Sequence, residues 1–198
     1  MGRQSPWALH RLAIVAIVLI LGAITLLFLR GPEGWQRRYY PLRYQQAIED
    51  SAIRHKVSPY LIAAVIEAES DWEPSAESKV GATGLMQLMP STAKQFARWK
   101  RVDAERFPPD KLSDPTVNIE YGAAYLRYLV ERYHEVEAAL AAYNAGLGHA
   151  DAWVARGGNI RDHIDFPETK HFVLKVSRGK DRYEALYPAA FEAWRETQ

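Results

Sequence analysis

The 198-residue chain contains no cysteine. Disulfide bridges, thiolate metal sites, a cysteine nucleophile and a lipid-modified N-terminal cysteine are excluded together. Its six histidines are scattered, with no HExxH or comparable ligand spacing. His163 and His171 are separated by a proline, a poor arrangement for a ligand pair, so no metal site is expected. Excess charge is missing too, at a formal net +1. No basic stripe alternates with aromatic residues, so nucleic acid is not an expected partner. Low-complexity tracts and internal repeats are absent, and no stretch alternates with period two, which leaves a globular, mainly helical chain.

What is present begins with a long apolar run. Residues 12–29 carry no charge, and as a helix they would extend about 27 Å, enough to cross a hydrocarbon core. The apolar region of a cleaved secretory signal is shorter, roughly 7–15 residues, and usually precedes an A-x-A site that is lacking here. The expectation is a retained transmembrane signal anchor over 12–29, an N-terminal tail over 1–11, a short tether over 30–41 and one domain over 42–198. The tether reading rests on Gly31, Pro32, Gly34 and an Arg-Tyr cluster. Arg3 and Arg11 precede the run, whereas Arg30, Arg37 and Arg38 follow it. A bare count of basic residues would leave the domain on the cytoplasmic side.

Helical spacing runs from Leu42 to Lys56, and Ser58-Pro59 then has the form of an N-cap followed by a first-turn proline. Asp71 to Gly84 is turn-rich and too long for a tight turn, so it reads as a functional loop. Further helices are expected over Ser91–Trp99, from Asp114-Pro115 to about His134, and over Val136–Tyr143, stopped by Asn144-Ala145-Gly146. Shorter ones should cover Gly148–Ala155, Glu168–Ser177 and Arg182–Glu196, the last interrupted at Pro188.

Glu69 is the informative position. At about 100° per residue, Leu61, Ile62, Val65 and Ile66 form one apolar stripe with Glu69 in its middle, while Glu67 points toward water. A carboxyl on a buried stripe is costly when charged, so desolvation should raise its pKa, and the negative end of the helix dipole should add to this. A carboxyl kept protonated near neutral pH is what a general acid requires.

The residues after Glu69 extend the pattern. Glu69-Ser70 is followed by Ala76 and Ser78, Gly81-Ala82, Gly84-Leu85-Met86-Gln87, Met89-Pro90 and Thr92-Ala93. Asn118, Gly122, Tyr125 and Leu126 form an N-x-x-x-G-x-x-Y-L series, and Ala141-Ala142-Tyr143-Asn144-Ala145-Gly146 forms a third block. In this order the three blocks resemble the lytic transglycosylases of the Slt type, within the lysozyme-like superfamily, over roughly residues 45–178.

That resemblance implies a lysozyme-like helical domain acting on peptidoglycan glycan strands; with residues 12–29 as anchor in a bacterial inner membrane, the domain would then face the periplasm or cell wall. It implies Glu69 as the single catalytic residue, acting first as acid and then as base, with no cofactor and no entering water. It places Ser78, Gln87, Met89, Tyr143 and Asn144 along the substrate. A hydroxyl and an amide suit N-acetyl and sugar oxygens, a thioether suits a sugar face, and a tyrosine hydroxyl could reach both Glu69 and ligand. Gly81 and Gly84 would permit the loop's backbone geometry, and Asn118, Gly122 and Tyr125 read as packing positions. A goose-type-like hydrolase would need a second carboxylate, for which Asp71 and Glu73 are nearest in sequence. A non-catalytic wall-binding module is the remaining alternative. One departure stands out: Glu168-Thr169-Lys170-His171-Phe172-Val173 carries Phe172 where the family often has tyrosine.

Overall fold

A computed structural model describes residues 6–30 and 33–197. The chain divides into two compact units, Met1–Pro41 and Leu42–Gln198. In the first, α1 (Pro6–Arg30) is a continuous helix and α2 (Glu33–Tyr39) is a short one. Within α1, His10–Leu27 has a mean hydropathy of 2.3 and is nowhere buried in the chain. It is therefore long and apolar enough to span a membrane. The segment read as a tether is helical over Glu33–Tyr39, with Arg37 and Arg38 in the last turn where cations favour the helix end.

The second unit is built from α3 (Gln45–His55), α4 (Pro59–Ser70), α5 (Pro90–Arg98), α6 (Pro115–Tyr133), α7 (Val136–Ala145), α8 (Leu147–Val154), α9 (Ile160–His163), α10 (Pro167–Leu186) and α11 (Glu192–Arg195). Among the described residues there is no strand, only isolated antiparallel bridges of Thr83 to Glu77 and to Leu88. The mainly α expectation holds. Helix α4 sits at the centre, packed chiefly on α10 and touching α3 and α6. Every residue from Pro59 to Ile66 is buried, so this helix is apolar all round rather than along one stripe. Glu67 is consequently half-buried instead of water-facing. Burial raises its pKa, against the lowering pull of Lys175 and Arg182.

Capping follows the sequence at one helix and departs from it at another. Asp114 accepts from the backbone N–H of Thr116 at 2.8 Å and Val117 at 3.1 Å, closing the start of α6. Ser58 occupies the N-cap of α4 but its side chain makes no capping bond. The expected break between Ser177 and Arg182 does not occur, since α10 runs unbroken for 20 residues. Gly179 explains this. A Cβ there would lie 3.2 Å from the Ala64 Cβ, so glycine permits close contact between α4 and α10 rather than ending a helix. Packing overrides its low helix propensity.

Candidate active site

Glu69 lies in the last turn of α4, which ends at Asp71 in a left-handed conformation (φ 51°). Trp72 follows at φ 66°. Two adjacent non-glycine residues in this region are uncommon and need enforcement from outside. Trp72 supplies it. Its ring is 1% exposed, and its indole N–H donates to the Tyr183 hydroxyl of α10 at 3.0 Å. The turn thus fixes the direction in which the chain leaves Glu69.

The segment that follows is wired rather than loose. Ser70 Oγ donates to the Leu85 carbonyl at 2.8 Å. Asn118 of α6 is fully buried and makes three bonds: Oδ1 accepts from Met86 N–H at 2.7 Å, and Nδ2 donates to the Thr83 and Leu112 carbonyls, each at 2.8 Å. Asn118 is therefore a polar hub as well as a packing position. Gly84 has φ +79°, and a Cβ on it would meet Asn118 Nδ2 at 2.3 Å. Glycine is required there twice over, by backbone conformation and by space. A Cβ on Gly122 would meet Met86 Sδ at 2.1 Å, so that glycine seats the loop against α6.

The expected substrate residues fall on this framework with different degrees of freedom. Ser78 Oγ accepts from Ala82 N–H at 2.9 Å, so it helps hold its own turn. Gln87, at φ 45°, donates through Nε2 to the Ala76 and Gly84 carbonyls, both at 3.0 Å, so its amide is tied to the loop through its nitrogen. Met89 is 38% exposed at the N-cap of α5. Tyr143 donates its hydroxyl proton to the Met86 carbonyl at 2.7 Å, which departs from the expected bridge between Glu69 and ligand. Only its oxygen lone pairs remain. Burial first, and nearby Glu69 second, push the Tyr143 pKa well above its ordinary value. Asn144 Oδ1 accepts from Thr169 Oγ1 at 2.7 Å, joining the ends of α7 and α10.

Electrostatics single out Glu69. Burial raises its pKa to about 7, opposed by the Lys175 ammonium and assisted by the Glu168 carboxylate. The expected dipole contribution is offset by Lys175, whose Nζ donates to the Glu67 and Ala68 carbonyls at 3.3 Å each and so covers the negative end of α4. Asp71 and Glu73 are both exposed. Glu73 is tied to the Ser75 hydroxyl at 2.5 Å and its N–H at 3.0 Å, which lower its pKa. Sequence reasoning quoted Glu168 and Thr169 only as neighbours of Phe172 in the block over residues 168–173 and gave neither a part in the site, and it did not name Lys175. All three lie on α10, and nothing in local spacing links Lys175 to α4. Phe172 stacks on Tyr143 with centroids 6.3 Å apart and planes 11° apart, so its apolar ring is part of the wall. Among the described residues no group of three metal-ligating side chains converges.

A carboxyl desolvated at the end of a buried helix, with its pKa raised to about 7, makes Glu69 the candidate for proton transfer near neutral pH. Comparison with known proteins narrows the class. The sequence profile of the transglycosylase SLT domain matches residues 46–165, more than half of the chain. The chain belongs to this family. It is 33% identical over 155 residues to the soluble lytic murein transglycosylase of Salmonella typhimurium, covering 75% of this chain and 23% of that protein. It is 39% identical over 122 residues to membrane-bound lytic murein transglycosylase F of Desulfosudis oleivorans, covering 58% of this chain and 24% of that one. An inactive mutant of the lytic transglycosylase Slt from Pseudomonas aeruginosa superposes with a TM-score of 0.69 at 31% identity, over 76% of this chain and 25% of that one. The chain thus spans about a quarter of the length of these relatives.

Proposed function

We propose that this chain is a membrane-anchored peptidoglycan lytic transglycosylase. Glu69 protonates the glycosidic oxygen between N-acetylmuramic acid and N-acetylglucosamine, and the C1–O bond breaks. Glu69, now a carboxylate, accepts the proton of the muramic C6 hydroxyl, and O6 closes on C1 as a 1,6-anhydro ring. No water is consumed and the carboxyl ends in its starting state. The substrate's N-acetyl carbonyl stabilises the positive charge that develops at C1.

The observation that carries this reading is Glu69 itself, a carboxyl raised by burial to about 7. Such a group exchanges a proton in both directions near neutral pH, which a single residue serving as acid and then base must do. Gln87 Oε1, the Ser78 hydroxyl and the Asn144 amide are the polar groups offered to the sugar, with Met89 and Phe172 as apolar wall. Asp71 and Glu73 do not fit the second carboxylate of a hydrolase, because both face solvent. Helix α1 would hold the domain at the inner membrane. A wall substrate requires the domain to face the periplasm, against the orientation that the basic residues after the span favour.

The test is Glu69→Gln, which keeps size and removes the transferable proton. Turnover of purified peptidoglycan should fall by roughly a thousandfold or more, with far-UV circular dichroism unchanged. A folded variant with wild-type turnover would refute the assignment.

A further inference from the structure

Beyond the groove residues around Glu69, a run of aromatic rings leaves the site along α6 and ends at the surface. Tyr143 meets Tyr125 with centroids 5.2 Å apart. Tyr125 stacks on Tyr128 at 6.5 Å with planes 14° apart. Tyr128 meets Trp99 at 5.9 Å. Trp99 is the C-cap of α5, the helix whose N-cap is Met89, and it is 49% exposed. In this compact unit no other tryptophan among the described residues is exposed to that degree.

Trp99 is also held in place. Phe96, buried one turn earlier, supports it at 5.5 Å. On the other side the Arg101 guanidinium lies 5.3 Å over the Tyr128 ring and is itself paired with Glu131 at 3.3 Å. An exposed indole backed by fixed rings loses little conformational freedom when a ligand covers it. Amphipathic rings of this kind suit ligands that present both an apolar face and hydroxyls. A pyranose has such a face. Continuity with the site through the ring series selects a glycan strand as the occupant.

We propose that Trp99, backed by Tyr128, is a distal saccharide platform that engages a strand already lying in the Glu69 groove. This rests on the glycan-cleaving reading above. The platform should favour strands long enough to reach it.

The test uses the full chain in detergent, with sacculi as long-strand substrate and a short muropeptide tetrasaccharide as the reference. Trp99→Ala should lower the sacculus-to-tetrasaccharide ratio of kcat/KM by about three- to tenfold, and Trp99→Tyr should restore most of it. Trp99→Met, which keeps Phe96 covered without a ring, serves in place of alanine if alanine lowers Tm. An unchanged ratio in these variants overturns the platform. Cosedimentation with sacculi is measured in parallel, comparing Glu69→Gln with Glu69→Gln/Trp99→Ala. If the wild type cuts neither substrate, the cleavage reading fails on its own, and the cosedimentation still decides the platform: weaker binding of the double variant supports it, equal binding removes it.

Discussion

At the scale of single residues, two buried acids have opposite fates. Glu69 is raised to about 7 by burial, with Lys175 pulling down and Glu168 pushing up. Glu120 also suffers burial, but hydrogen bonds from His55, Arg54 and Ser51 outweigh it and hold the pKa at about 2. One acid is left chemically available and the other is locked as structure. The raised pKa of Glu69 makes a stability prediction. Its protonated form suits the fold, so its contribution is fully present below the unfolded-state value near 4.5 and is lost as pH rises through about 7. Glu69→Gln should therefore be more stable than wild type at pH 8 by about 2–3 kcal/mol. The difference should shrink toward zero near pH 4.5 in chemical denaturation. A pH-independent difference would mean that Glu69 titrates normally. The raised pKa was legible in the sequence from the apolar neighbours of Glu69. Lys175 was not, because its approach depends on how α10 packs.

At the scale of elements, α4 and α10 decide whether the site exists. The Ala64–Gly179 contact lets the two helices approach, and Trp72 fixes the turn after Glu69 through Tyr183 of α10. Gly179→Val would place branched carbons against Ala64 and the Glu67 carboxylate. Overpacking at such a contact costs typically 1–3 kcal/mol. Thermal unfolding should report that loss, and activity should fall with it because α4 carries Glu69. A variant of wild-type Tm and activity would show that the helices tolerate wider spacing. The sequence revealed α5, α6 and α7 nearly to the residue, since Pro90, Asp114-Pro115 and Gly146 mark ends by local chemistry alone. It failed at α10, which it divided between Ser177 and Arg182, because the fit of Gly179 against Ala64 appears only once the neighbouring helix is in place. Three of the five expected substrate side chains, Ser78, Gln87 and Tyr143, also have hydrogen-bonding capacity committed to the loop. A motif names residues, but their spare donors and acceptors appear only once the loop is folded.

At the scale of the whole molecule, the chain joins an apolar helix to a unit with its own core. The second unit buries Trp72, Tyr121, Tyr183, Phe96 and Phe191 among its largest side chains, which is the mark of an independently folding domain. A shortened chain starting at Leu42 should remain soluble with a cooperative melt, while the full chain partitions with membranes and is released by detergent but not by salt. Release by salt would argue for a peripheral attachment instead. Tethering would confine cleavage to wall within reach of the membrane. The most direct measurement is mass spectrometry of the products released from peptidoglycan. Muropeptides ending in 1,6-anhydro-muramic acid, lighter by one water than hydrolysed ends, are the expected result and require Glu69 to act as both acid and base. Reducing ends would contradict that, and would mean that water rather than the C6 hydroxyl attacks C1.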